Sequence, residues 1–105
     1  MKEKDIFNKI EAEIKAVGGI SWAVHAGPGR ARFTEKTDIF GIFDMIYINH
    51  TGGVGFIQAT TAGHETQRRS KIYNFFTDTR IEMPPNCWLY SWDKVKDGMI
   101  KERLS

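Results

Sequence analysis

One cysteine, three prolines and no long apolar run exclude several protein classes at once. Cys87 alone makes no internal disulfide and cannot supply a cysteine-based zinc site. No stretch approaches the ~20 apolar residues that cross a bilayer. The N-terminus MKEKDIFNKIEAEIKAV is charged throughout and lacks the apolar core of a secretory leader. The expectation is a cytoplasmic protein without a membrane segment. A strong charge imbalance is missing too. Fifteen Lys and Arg stand against thirteen Asp and Glu, a net charge of +2, which excludes nucleic-acid binding by bulk charge.

What is present is ordinary globular material. In 105 residues, 41% are hydrophobic and 27% charged, so the chain is neither disordered nor fibrous. The aromatic residues, seven Phe, three Trp and three Tyr, suffice for a compact core. The chain shows no internal repeat, low-complexity segment or linker. The reading is one domain over residues 1–105, with 93–105 as a mixed-charge tail, a short helix or a frayed end.

The periodicities predict a small α/β domain in the order α-β-β-β-α-β, with a central mixed sheet flanked by helices. Over 4–17, Ile6, Phe7, Ile10, Ile14 and Val17 form one helical stripe, stopped by Gly18-Gly19. In 20–26, Ile20, Trp22 and Val24 alternate with Ser21, Ala23 and His25, as in a half-buried strand. Residues 27–38 have no period and read as a long loop carrying Arg30, Arg32 and Lys36. The run 41–49, GIFDMIYIN, reads as a central strand buried on both faces. HTGG, residues 50–53, turns the chain into a second hairpin strand over 54–62. A helix over about 64–76, a turn closed by Pro84-Pro85 and a short strand over 87–92 complete the pattern.

Local charge is more informative than the total. Arg68, Arg69 and Lys71 against Glu65 concentrate the net +2 within HETQRRSK. Such a face either is simply solvated or binds phosphate.

Asp44 is the anomaly of the sequence. A carboxylate inside an apolar strand is costly unless it is paired, protonated or bound to a cation. Two readings fit: an Asp at a strand end held by backbone or an arginine, and a metal ligand. Gln58 and Thr60, two apart in the next strand, point to one face. Counting outward from the turn sets Asp44 opposite about residue 59, within a residue or two, so the three side chains can share a polar patch.

An Asp in GIFDMI, then a strand ending Gln-x-Thr, then a helix with Arg and Lys resembles the PD-(D/E)XK nuclease superfamily. That superfamily has the restriction-endonuclease-like fold and includes Holliday-junction resolvases. IQATTAGHETQRRSKI resembles its phage and prokaryotic Gln-x-Thr subgroup. The likeness covers residues 4–92 in order of elements and is specific over 38–72. It implies a metal-dependent endonuclease of a prokaryotic, archaeal or viral system, acting on duplex or branched DNA, with a homodimer as one assembly. The exposed aromatics of the last strand are candidates for such an interface.

The resemblance assigns Asp44 and Gln58 as metal ligands, with the Ala59 carbonyl as a third donor to Mg²⁺ or Mn²⁺. Thr60 stands where the family carries a catalytic lysine. An uncharged hydroxyl cannot stabilise the charge that develops on phosphate. Lys71 and Arg68 are the candidates for a relocated cation. Glu11, ahead of Glu13, is the candidate for the family's helix glutamate; both also read as solvated carboxylates. Arg30, Arg32, His64, Arg68, Arg69 and Lys71 are the candidate nucleic-acid contacts.

Other residues carry weaker signals. His25 and His64 have no partner at metal-ligand spacing. Asp38 either approaches the ion or caps a turn. Trp22, Trp88 and Trp92 read as core or rim aromatics, and Cys87 as a packed thiol. Two functions remain: a metal-dependent nuclease, and a degenerate relative that binds nucleic acid or a protein without cutting. Neither a nucleotide-binding glycine motif nor a nucleophile constellation supports a metabolic enzyme.

Overall fold

The computed structural model describes residues 3–24 and 38–105. Arg30, Arg32, Lys36 and His25 therefore lie outside the described residues. Helix α1 spans Glu3–Ala16 and buries Ile6 and Ile10 completely. Each such isoleucine contributes about 1.5–3 kcal/mol through burial. Gly18 ends the helix in the left-handed region (φ 86), and the Gly18 and Gly19 N–H groups donate to the Lys15 and Ile14 carbonyls. Val17 lies beyond this end and is exposed, not part of the buried stripe.

Five strands follow in spatial order of sequence: β1 (Ile20–Ala23), β2 (Met45–Ile48), β3 (Val54–Thr60), β4 (Cys87–Asp93) and β5 (Gly98–Arg103). All neighbours are antiparallel except β3 and β4, which are parallel. A parallel pair needs a crossover, and helix α2 (Glu65–Thr79) provides it. Alternate residues of β3 point to opposite faces. Ile57 and Ala59 pack with Ile6, Phe7 and Ile10 of α1, whereas Phe56 packs on the side of Ile72, Phe75 and Phe76 of α2. The domain is thus a mixed α/β sheet between two helices.

Four sequence expectations change. The tail is strand β5, not a helix or a frayed end. Its charges suit a sheet edge, and each meets a partner: Lys101 with Glu13 (2.6 Å), Glu102 with Arg69, and Arg103 with Asn86. The run 41–49 is a strand only from Met45, and Ile48 is exposed; residues 39–43 form a tight turn closed by an Ile39–Phe43 bridge. Helix α2 extends three residues further, to Thr79, before Arg80 caps it in the left-handed region. On β1 the buried face is that of Ala23, and Ile20 and Trp22 are each 68% exposed. The reason is positional: β1 is an edge strand, and α2 covers the β3–β4 half of that face.

The aromatics of β4 are also displaced from their expected role. Trp92 is buried, and Trp88 and Tyr90 are half-buried against the α1 side. They cannot offer an exposed interface, because β4 is an interior strand. Cys87 is fully buried, and desolvation raises its thiol pKa.

Candidate active site

Among the described residues the buried polar side chains are Asp44, Gln58, Thr60 and Ser91, each 2–3% exposed. The Met45–Ile57 pairing sets Asp44 opposite Gln58, one residue from the count made on the turn. Gln58 and Thr60 share the α2 face of β3, and Thr60 is in register with Ser91 of the parallel strand. The four residues gather in the carboxyl-terminal half of the β3–β4 pair, where open α/β sheets commonly hold ligands. Ser91 was not singled out from the sequence. Its only signal there is a small polar residue interrupting CWLYSW.

Asp44 is fixed by its main chain. Its N–H donates to the Ile57 carbonyl, and its carbonyl accepts from the Val24 N–H, both at 2.9 Å. Strand β2 begins only at Met45, so the Asp44 side chain serves Ala59 where the ladder has ended. Asp44 Oδ2 accepts from the Ala59 N–H at 2.9 Å and from Gln58 Nε2 at 2.6 Å. The same Gln58 nitrogen donates to the Ala59 carbonyl at 3.0 Å. The amide group therefore bridges a carboxylate oxygen and a main-chain oxygen. Thr60 Oγ1 donates to the Thr61 carbonyl at 3.3 Å.

This donor set has the chemistry of a hard-cation site of low charge: one carboxylate, one amide and one main-chain carbonyl. The oxygens of Asp44 and Ala59 already converge on a single small group, and Gln58 can present its own oxygen by turning its amide. No cluster of three or more His, Cys, Asp or Glu occurs among the described residues, so any cation here relies on this mixed set.

The basic residues of α2 divide. Arg69 makes a bidentate pair with Glu102 of β5, Nε to Oε2 at 2.8 Å and Nη2 to Oε1 at 2.6 Å. That hydrogen bonding raises the Arg69 pKa and holds the Glu102 carboxyl below its usual value. Arg69 thus ties α2 to the sheet. Arg68 is half-buried and Lys71 exposed, one turn apart. His64 stands exposed at the start of α2 with no capping side-chain bond. Glu11 belongs to α1, the helix on the opposite face of the sheet from Asp44 and Gln58, and Glu13 on the same helix pairs with Lys101. No helix among the described residues is long and apolar enough to cross a membrane. Compared with family models, curated proteins and solved structures, the chain matches none of them.

Proposed function

We propose that the protein is a metal-dependent DNA endonuclease with a restriction-endonuclease-like fold. The observation that carries this reading is the Asp44–Gln58 pair. It is buried on the α2 face of the sheet, on β3 just ahead of the helix that bears Arg68 and Lys71. The resemblance of GIFDMI and IQATTAGHETQRRSKI to PD-(D/E)XK nucleases points to the same chemistry, and so does the order of elements. Asp44, Gln58 and the Ala59 carbonyl would hold the ion. A bound Mg²⁺ polarises a phosphate oxygen and acidifies a water molecule. Asp44 supplies the negative charge that fixes the cation. Arg68 or Lys71 offsets the charge that builds on the phosphate oxygens, a task Thr60 cannot perform.

The test is cleavage of linear, nicked, flapped and four-way DNA with Mg²⁺ or Mn²⁺. Wild type should cut at least one, and Asp44→Asn none. Loss of the catalytic cation, by Arg68→Ala or Lys71→Ala, should slow cleavage roughly 10²–10³-fold. The second reading is a degenerate binding domain, favoured by the buried, uncharged Thr60 at the lysine position. If neither alanine variant slows cleavage and Thr60→Lys cuts where wild type does not, the binding reading holds.

A further inference from the structure

Phe40 combines three features that core packing does not require together. It is 64% exposed. Its backbone sits in the left-handed region, φ 55, which bulky side chains rarely adopt. Its ring is nevertheless held in a defined plane, stacked on Phe75 at 6.1 Å and 27° and tilted against Phe56 at 6.4 Å. The turn that carries it is tight: the Gly41 N–H donates to the Asp38 carbonyl, and Ile42 and Phe43 donate to that of Ile39. An aromatic fixed on one side and open on the other is a surface for stacking.

The ring borders a groove of about 580 Å³ between residues 40–42 and the outer face of α2. That volume lies within the range of small-ligand sites and suits one nucleotide better than a duplex. Gln67, Ser70 and Asn74 offer amide and hydroxyl groups along it, and Lys71 a positive charge. Asp78 closes the far end, so a phosphate is favoured toward Lys71. Ile42 is two residues from Asp44, a separation of at most about 7 Å along the chain. That equals about two stacked base steps of a strand at roughly 3.4 Å each.

We infer that this groove binds an unpaired nucleotide of DNA, its base stacked on Phe40 and its phosphate at Lys71. The inference rests on the nuclease reading and names its substrate class: single-stranded, flapped or branched DNA. A fully paired duplex keeps its base faces inside the stack and cannot offer one to Phe40.

The experiment is fluorescence anisotropy in chelator, where nothing is cut. It uses a short labelled oligothymidylate and a fully paired duplex of the same length. Phe40→Asn removes the ring and suits the left-handed backbone, so its melting temperature should stay level or rise. It should bind oligothymidylate about 5- to 150-fold more weakly, with duplex affinity unchanged. Phe40→Tyr should bind as wild type. Three results overturn the inference: oligothymidylate affinity within twofold of wild type, equal loss on both probes, and tighter wild-type binding of oligouridylate than of oligothymidylate. Cleavage with Mg²⁺ is scored separately. Cutting without Phe40-dependent binding removes only the groove, and Phe40-dependent binding without cutting removes only the hydrolase.

Discussion

Gln58 Nε2 lies 2.6 Å from Asp44 Oδ2 across an antiparallel pair, and also 3.0 Å from the carbonyl of its own neighbour Ala59. The two sites are joined by one amide group. The first consequence concerns Asp44→Asn. An Asn side chain either presents its NH₂ to two donors or loses one of the two bonds made by Oδ2. The variant should lose about 1–3 kcal/mol in denaturant unfolding, besides losing cleavage. Undiminished stability would mean that this carboxylate does not support Ala59 and Gln58.

Gln58→Glu sets a second carboxylate beside Asp44. Like charges at this separation repel in a buried site. Thermal unfolding without divalent ions should begin at a lower temperature than in wild type. Added Mg²⁺ should restore it, because an ion that binds only the folded state stabilises it by mass action. If Mg²⁺ leaves the melting temperature of this variant unchanged, the oxygen set does not hold a cation.

Gly55 faces Tyr47 across β2 and β3, and a Cβ at Gly55 would collide with the Tyr47 ring. The Tyr47 hydroxyl in turn accepts from Trp88 Nε1 at 3.1 Å. Gly55→Ala should therefore displace the ring, break that bond and destabilise the fold by about 1–3 kcal/mol. Chemical denaturation of the variant, with Trp fluorescence as the probe, measures both effects.

The Arg69–Glu102 pair gives a pH signature. Hydrogen bonding to Arg69 lowers the Glu102 pKa below its ordinary 4.5. A depressed carboxyl stabilises the fold above the unfolded value, and this is lost as pH falls through the lower folded value. Both side chains are more than a third solvent-accessible, 34% and 38%, so screening keeps the effect at about 0.2–1 kcal/mol. Glu102→Gln should lower stability at neutral pH by that amount and match wild type well below pH 4.5. Unfolding curves at neutral and acid pH decide the point.

The polar pair was legible in the sequence because two local rules sufficed. A turn at 50–53 fixes the hairpin register within a residue, and the period of a strand puts Gln58 and Thr60 on one side. The order of helices and strands up to Trp92 followed from apolar spacing in the same way. The tail did not, since charges that look solvated in a string are paired once β5 lies beside β4 and near both helices. Ile20 and Trp22 misled for a related reason: alternation reports two faces, not which one is covered.

The sequence by itself determined the elements, their order and the chemistry of the residue types, because periodicity and turn preference act over a few positions. Tertiary structure decided which of those residues meet. Ser91 joins Thr60 because β3 and β4 run parallel, and parallel pairing depends on a crossover that no local pattern encodes. Arg69 turns to Glu102 while Lys71 stays open to solvent, because the helix rotation over the sheet is set by where Ile72 packs. Phe40 stands at the edge of the groove because the Ile39–Phe43 bridge closes its turn, a contact made only after β2 has found its neighbours.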